Sequence, residues 1–169
     1  MPRPAAGDFA PYYGKYLDLV PEDDIQPVLA KQLDEFLAFM RPVSEATGNV
    51  VHPPYSWSVK QVVGHLSDCE RVFGYRALRF ARGDATPLPG FEENDYARTG
   101  ESDRVKLADL VSEFEALRRS HVWLFRNLPA EAWNRAGTAN NSRITVRALA
   151  FILAGHVRHH GGILRKRLG

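Results

Sequence analysis

The spacing of apolar positions along this chain predicts four long helices. The first opens at Pro21-Glu22-Asp23-Asp24, where acids sit at the positive end of a helix dipole. Ile25, Leu29, Leu33, Phe36, Leu37 and Met40 then fall on one face, and Pro42 ends the pattern, giving a helix over residues 23–41. Pro27 lies near the first turn, where it is tolerated. The second helix starts at Ser58-Val59-Lys60-Gln61, a capping box with a hydroxyl at the N-cap and Gln three residues on, and runs to about Arg82. Two adjacent rows face inward along it. One is Val62, His65, Cys69 and Val72; the other is Val59, Val63, Leu66, Glu70, Phe73, Ala77 and Phe80.

The third helix, over residues 104–127, carries the seam Leu107, Leu110, Phe114, Leu117, His121 and Leu124. The fourth begins at Thr145 as N-cap and extends to about Arg167, with Leu149, Leu153, His156, His160 and Ile163 at alternating steps of four and three. Between these lie a Pro- and Tyr-containing leader, a loop from Ser44 to Trp57 and a connection from Gly83 to Asp103 without clear periodicity. Leu128 to Trp133 reads as a short helical turn, and Asn134 to Arg143 as loop. Nothing alternates at period two for long enough to require a sheet. The pattern predicts an all-α fold, a single four-helix bundle over residues 1–169 with the first twenty residues as a leader. Some twenty residues is long for a connection in a compact bundle. The link between the second and third helices therefore permits a crossover.

Composition narrows the class. With 44% hydrophobic and 25% charged residues, the 169-residue chain is ordinary for a globular domain with a substantial core. A net charge of +2 gives little support to nucleic-acid binding, which needs clustered basic residues. The one basic cluster, Arg165-Lys166-Arg167, offsets the negative end of the last helix. The single cysteine, Cys69, excludes an internal disulfide and fits a reducing compartment. No apolar run reaches membrane-span length and the first sixteen residues lack a signal-peptide core, so a soluble cytoplasmic protein is expected.

The chemistry lies in the histidines. His156 and His160 stack one above the other on one helix face, and neutral imidazole suits zinc, nickel, copper or iron. Two ligands from one helix are too few, and His65 on the seam of the second helix is the natural third. The alternative is a pair of core histidines bonded to carbonyls or water. His159 neighbours both ligands but turns away from the seam; it is an alternative to His160, or a donor to substrate. His121 is read as an imidazole satisfied in the core or at the bundle end, and His52 stays unassigned in a loop. Glu70 is costly to bury unpaired, so it is expected to bond Arg76 or a loop amide; orienting a ligand or acting as a base is the lesser reading. Cys69, four residues after His65, is read as a small core residue rather than a soft ligand.

The segments Trp57 to Arg76, Pro87 to Tyr96 and Ala154 to Leu164 resemble the DinB/YfiT-like superfamily, and the resemblance runs from about Pro21 onward. Its specific element is the order of one histidine in the second helix and an H-x3-H pair in the fourth. The resemblance implies up-down-down-up connectivity, often in a homodimer. It also implies a divalent metal, commonly zinc or nickel, held by the histidines matching His65, His156 and His160. With the second and third helices parallel, His121 would sit away from the ion. Members with a known activity include thiol-dependent transferases acting on small electrophiles; others are described as metal-dependent hydrolases. The implied role is a metal-dependent enzyme that activates a water or a low-molecular-weight thiol against a small-molecule substrate. The rival is a metal-binding or interaction protein without catalysis. The loop Gly83 to Asp103, with Phe91 and Tyr96, is placed to cover such a site, and its acids do not favour an anionic substrate there.

Overall fold

In a computed structural model that describes residues 2–169, seven helices and one small hairpin follow in the order α1 (Gly14–Leu17), α2 (Ile25–Met40), α3 (Glu45–Gly48), α4 (Val59–Ala81), α5 (Glu93–Thr99), α6 (Leu107–Arg126), β1 (Ala136–Ala139), β2 (Ser142–Thr145) and α7 (Val146–Leu168). The four long helices are the four that periodicity predicts. Their starts are fixed by side chains that satisfy otherwise orphaned amides. Asp24 accepts from Gln26 N, Ser58 forms the full capping box with Gln61, and Thr145 accepts from Ala148 N.

Helix α2 packs against α6 and α7, and α4 packs against the same two. Polar contacts fix their relative directions. Ser58, ahead of α4, donates to Asp103, ahead of α6, at 2.5 Å. Arg167 at the end of α7 donates to Trp57 O at 2.9 Å, so α7 finishes where α4 begins. Two apolar clusters fill the interior. One joins α1, the later part of α4, Trp133 and α7 up to Ala154; the other joins α2 from Leu33 on, the first turns of α4, the start of α6, Val157 and Leu164. His156 falls in sequence between the two, and His65 lies at the edge of the second, next to Leu66.

The structure departs from the periodicity in four places. The chain is not entirely helical. Residues 136–145, read as part of a loop, form an antiparallel hairpin whose two-residue turn, Asn140-Asn141, has φ of +49° and +59°. Asparagine tolerates this left-handed region better than most residues, and such a turn matches the strand twist. The long connection is also more ordered than its pattern suggests. It carries α5, and Leu88 bonds the hairpin through Leu88 N to Thr138 O and Asn140 N to Leu88 O. The third helix starts at Leu107 rather than residue 104, because Val105 is extended and Glu45 Oε2 accepts the first amide, Leu107 N, at 2.8 Å. Finally, the leader is docked. Arg3 donates to the carbonyls of Val20 and Leu17, and Tyr16, Leu17 and Val20 are buried. Gly155 permits this approach, since a Cβ there would lie 2.0 Å from Tyr16 O.

Candidate metal centre

His65 and His156 are presented to one another by antiparallel stretches of α4 and α7, with Nε2 atoms 3.0 Å apart. Two nitrogens bound tetrahedrally to one zinc at its usual bond length stand about 3.3 Å apart. The observed separation is therefore close to that of two ligands sharing an ion. The His160 ring centroid lies 4.5 Å from that of His156 and 4.9 Å from that of His65. The three predicted ligand rings are thus neighbours, although His160 is not among the residues whose donor atoms all lie within 4.8 Å of one another. Cys69, read as packing, is nearer than that reading requires: its Sγ is 3.7 Å from His65 Nε2. The donor atoms of His65, Cys69 and His156 lie within 4.8 Å of one another.

The electrostatics suit a cation. Burial, with the charge of His159, lowers His65 to about 4. Burial pushes His156 well below the ordinary imidazole range, with His160 and His65 adding to the shift. Burial, with His65 and His159, takes His160 down to about 2. All three are neutral near pH 7, the form that binds metals. Burial, then Asp68 and Glu70, pushes the Cys69 thiol up, so it keeps its proton unless a metal displaces it. The converging donors, two imidazoles and a thiol with the His160 ring beside them, fit a borderline divalent ion.

These shifts have a consequence for stability. An unfolded histidine takes up its proton near 6.5, whereas folded His65 resists until about 4. Protons then favour the unfolded chain. The stability attached to His65 is complete above about pH 6.5 and is lost as pH falls toward 4, and that attached to His160 goes on falling toward pH 2. Urea titrations of metal-free protein are expected to give a midpoint that drops across this window. His65→Gln and His156→Gln should each reduce the drop, and an unchanged slope in both would contradict the assignment.

Aromatic rings hold the imidazoles in place. Tyr16 meets the edge of His156 at 5.3 Å, Trp57 lies 4.8 Å from His65, and Phe73 lies 6.2 Å from His156. Together they form one side of a cavity of about 710 Å³. The rest of its wall includes Tyr12, Tyr13 and Lys15 of the leader, Arg76 of α4, Phe91 to Glu93 of the long connection, and Asn140 of the hairpin turn. The volume is that of a small-molecule site. His159 also lines it, 5.6 Å from Tyr16, so it faces the cavity. The leader's contribution escapes sequence reasoning, although three tyrosines within five residues were a legible signal.

The remaining candidates lie elsewhere. Glu70 is fully buried, but it bonds neither Arg76 nor a loop amide. Its carboxylate takes a forked pair of bonds from Arg118, at 3.1 and 2.5 Å, and lies 2.7 Å from His121 Nδ1. Burial pushes this carboxyl up, but the Arg118 charge and the bonds from His121 and Arg118 outweigh it and hold it below the usual range. Arg118 also donates to Gln32 Oε1 and Leu153 O, and Gln32 donates to Ala154 O. This network joins all four long helices one turn before His156. His121 is accordingly satisfied in the core. Arg118, rather than Leu117, is the inward residue of its turn, because only Glu70 makes its burial tolerable. His52 accepts from Arg167 at 3.3 Å.

A family model described as the DinB superfamily matches residues 29–164. Among solved structures the chain is similar to YfiT from Bacillus subtilis, described as a probable metal-dependent hydrolase with an unusual four-helix bundle topology. The TM-score is 0.72 at 17% identity, over 98% of this chain and 90% of that one. It is also similar to a mycothiol-dependent maleylpyruvate isomerase, with a TM-score of 0.68 at 11% identity, over 81% of this chain and 58% of that one. At these identities the likeness is one of fold. A search of curated protein sequences finds no significant match. Among the described residues, no helix is long and apolar enough to cross a membrane.

Proposed function

Starting from the fact that the chain belongs to the DinB superfamily, we propose that it is a metal-dependent enzyme acting on a small molecule, with His65, His156 and His160 as ligands. The observation that carries the proposal is the meeting of two buried, neutral imidazoles from different helices, Nε2 to Nε2 at 3.0 Å, on the wall of a 710 Å³ cavity. The resemblance to the superfamily points to zinc or nickel, two of the several divalent ions that imidazoles bind. A divalent ion there would supply Lewis acidity that makes a water or a thiol nucleophilic near neutral pH. The helix directions support an up-down-down-up bundle in which α4 and α6 run parallel.

The chain's own residues supply the remainder. Tyr16, Trp57 and Phe73 wall the imidazoles off from solvent and fix their ring planes. Burial, with a hydrogen bond to Tyr12, raises the Tyr16 phenol, which stays protonated and leaves its oxygen free to accept from a substrate. The tyrosines and Phe91 give the cavity aromatic surface against which a substrate body packs. The mycothiol-dependent isomerase of the same fold favours a thiol as the activated group over water.

Turnover tests this reading. Zinc- or nickel-loaded protein is expected to conjugate a low-molecular-weight thiol to 1-chloro-2,4-dinitrobenzene, or to hydrolyse p-nitrophenyl acetate. The activity should vanish on chelation and in His156→Ala. Stoichiometric metal with no turnover on either substrate class would instead indicate a non-catalytic metal-binding protein.

A further inference from the structure

Arg76 is an unusual residue for the wall of this cavity. It is only 3% exposed, yet among the described residues no carboxylate lies within ion-pair distance of it. Its one hydrogen bond to the main chain is from Nη2 to Pro89 O, at 2.8 Å. Its charge favours the phenolate of the neighbouring Tyr13, and its guanidinium carbon lies 5.7 Å from the Phe73 ring centroid. A buried guanidinium with five donors and only neutral partners bears a large desolvation penalty. Every other fully or nearly buried charge in the core has a counterion: Arg118 has Glu70, and Lys60 has Glu45.

Position adds to this. Arg76 lies eleven residues beyond His65, three turns on the same face of α4, or roughly 16 Å along the axis. Long side chains on a helix lean toward its N-terminus, which directs Arg76 back toward the histidines. Phe73 lies between, its ring 5.7 Å from the guanidinium carbon and 6.2 Å from the His156 ring. The cavity therefore has imidazoles at one end, an aromatic floor, and a lone buried cation at the other.

We propose that Arg76 is a substrate-binding residue that receives a carboxylate, so that the substrate is an elongated organic acid whose reactive group lies at the histidines. This extends the metal-site reading above and rests on it for the position of the reactive group. A single guanidinium beside a phenol matches one carboxylate in a fork. A phosphate dianion would call for more buried cations, Lys15 on the same wall being exposed, and Glu92 and Glu93 there oppose higher charge. Those acids do not exclude a carboxylate at Arg76. Glu92 is exposed, and its side chain is engaged in accepting from Asn94 N at the start of α5.

The test uses two matched acid and amide pairs followed by NMR titration. On zinc-loaded protein the pair is 6-mercaptohexanoate and 6-mercaptohexanamide. On chelator-stripped protein it is 4-phenylbutyrate and 4-phenylbutanamide, which need no ion. In both cases the acid is expected to bind about tenfold more tightly than the amide, as a charge-assisted bond implies. Arg76→Gln should abolish the preference, and Arg76→Lys, which keeps the charge without the fork, should retain part of it. Equal affinities for acid and amide, a preference that survives in Arg76→Gln, or no binding of either acid would overturn the proposal. Loss of the thiol result alone, with the stripped-protein preference intact, would instead count against the metal reading.

Discussion

Replacing Arg118 with alanine is expected to lower the unfolding free energy by about 3–5 kcal/mol, the usual cost of removing one partner from a buried ion pair. For a chain of this size that corresponds to a fall in Tm on the order of 10 °C. The reason is specific. Arg118 is fully buried, and its guanidinium is shared among the Glu70 carboxylate, Gln32 Oε1 and Leu153 O. Alanine leaves all three acceptors without it and leaves Glu70 charged in the core with only His121 beside it. Glu70→Leu combined with Arg118→Met removes both charges together and should recover most of the loss, since an apolar pair of similar volume is often neutral or better. Urea denaturation read by circular dichroism measures both. A loss below about 1 kcal/mol for Arg118→Ala would show the pair to be worth no more than a surface contact.

The second large effect concerns metal affinity. His156→Ala is expected to weaken zinc binding on the order of 100-fold or more, because imidazole ligation supplies much of the binding free energy of such sites. His156 stands at the centre of the cluster, closest in ring separation to His160 and nitrogen to nitrogen with His65. His65→Ala should behave similarly. His160→Ala and Cys69→Ser then separate the two candidates for the third position. The three-histidine reading expects a large loss for His160→Ala and little change for Cys69→Ser. Competitive titration against a chromogenic chelator gives the affinities, and the opposite order would place Cys69 in the coordination sphere.

Much of this architecture was legible in the sequence because its signals are local. Apolar spacing identified the four long helices, and Ser58 and Thr145 marked their starts, because capping is a contact between residues three apart. The steps from Leu149 to Ile163 placed His156 and His160 on one face. The structure brings their rings together with that of His65, which spacing within one helix could not ensure. What escaped depends on partners distant in sequence. Arg118 reads as a surface residue until Glu70, forty-eight positions earlier, is known to face it. The leader looks structureless because Gly155, far along the chain, makes room for it. The hairpin lacks an Asn-Gly signal and carries its turn on two asparagines. Sequence alone offers Arg76 or a loop amide as the partner of Glu70, and only the three-dimensional arrangement shows that Arg76 lines the cavity with no acid partner.

The central claim is that His65, His156 and His160 hold one divalent ion. Anomalous diffraction at the zinc and nickel absorption edges, on crystals of the full chain grown with each metal, tests it most directly. The account predicts a single strong peak among these three rings, with Nε2 of His65 and His156 about 2.0–2.1 Å from it. A crystal in which excess metal leaves His65 and His156 hydrogen-bonded to each other, with no peak between them, would contradict it.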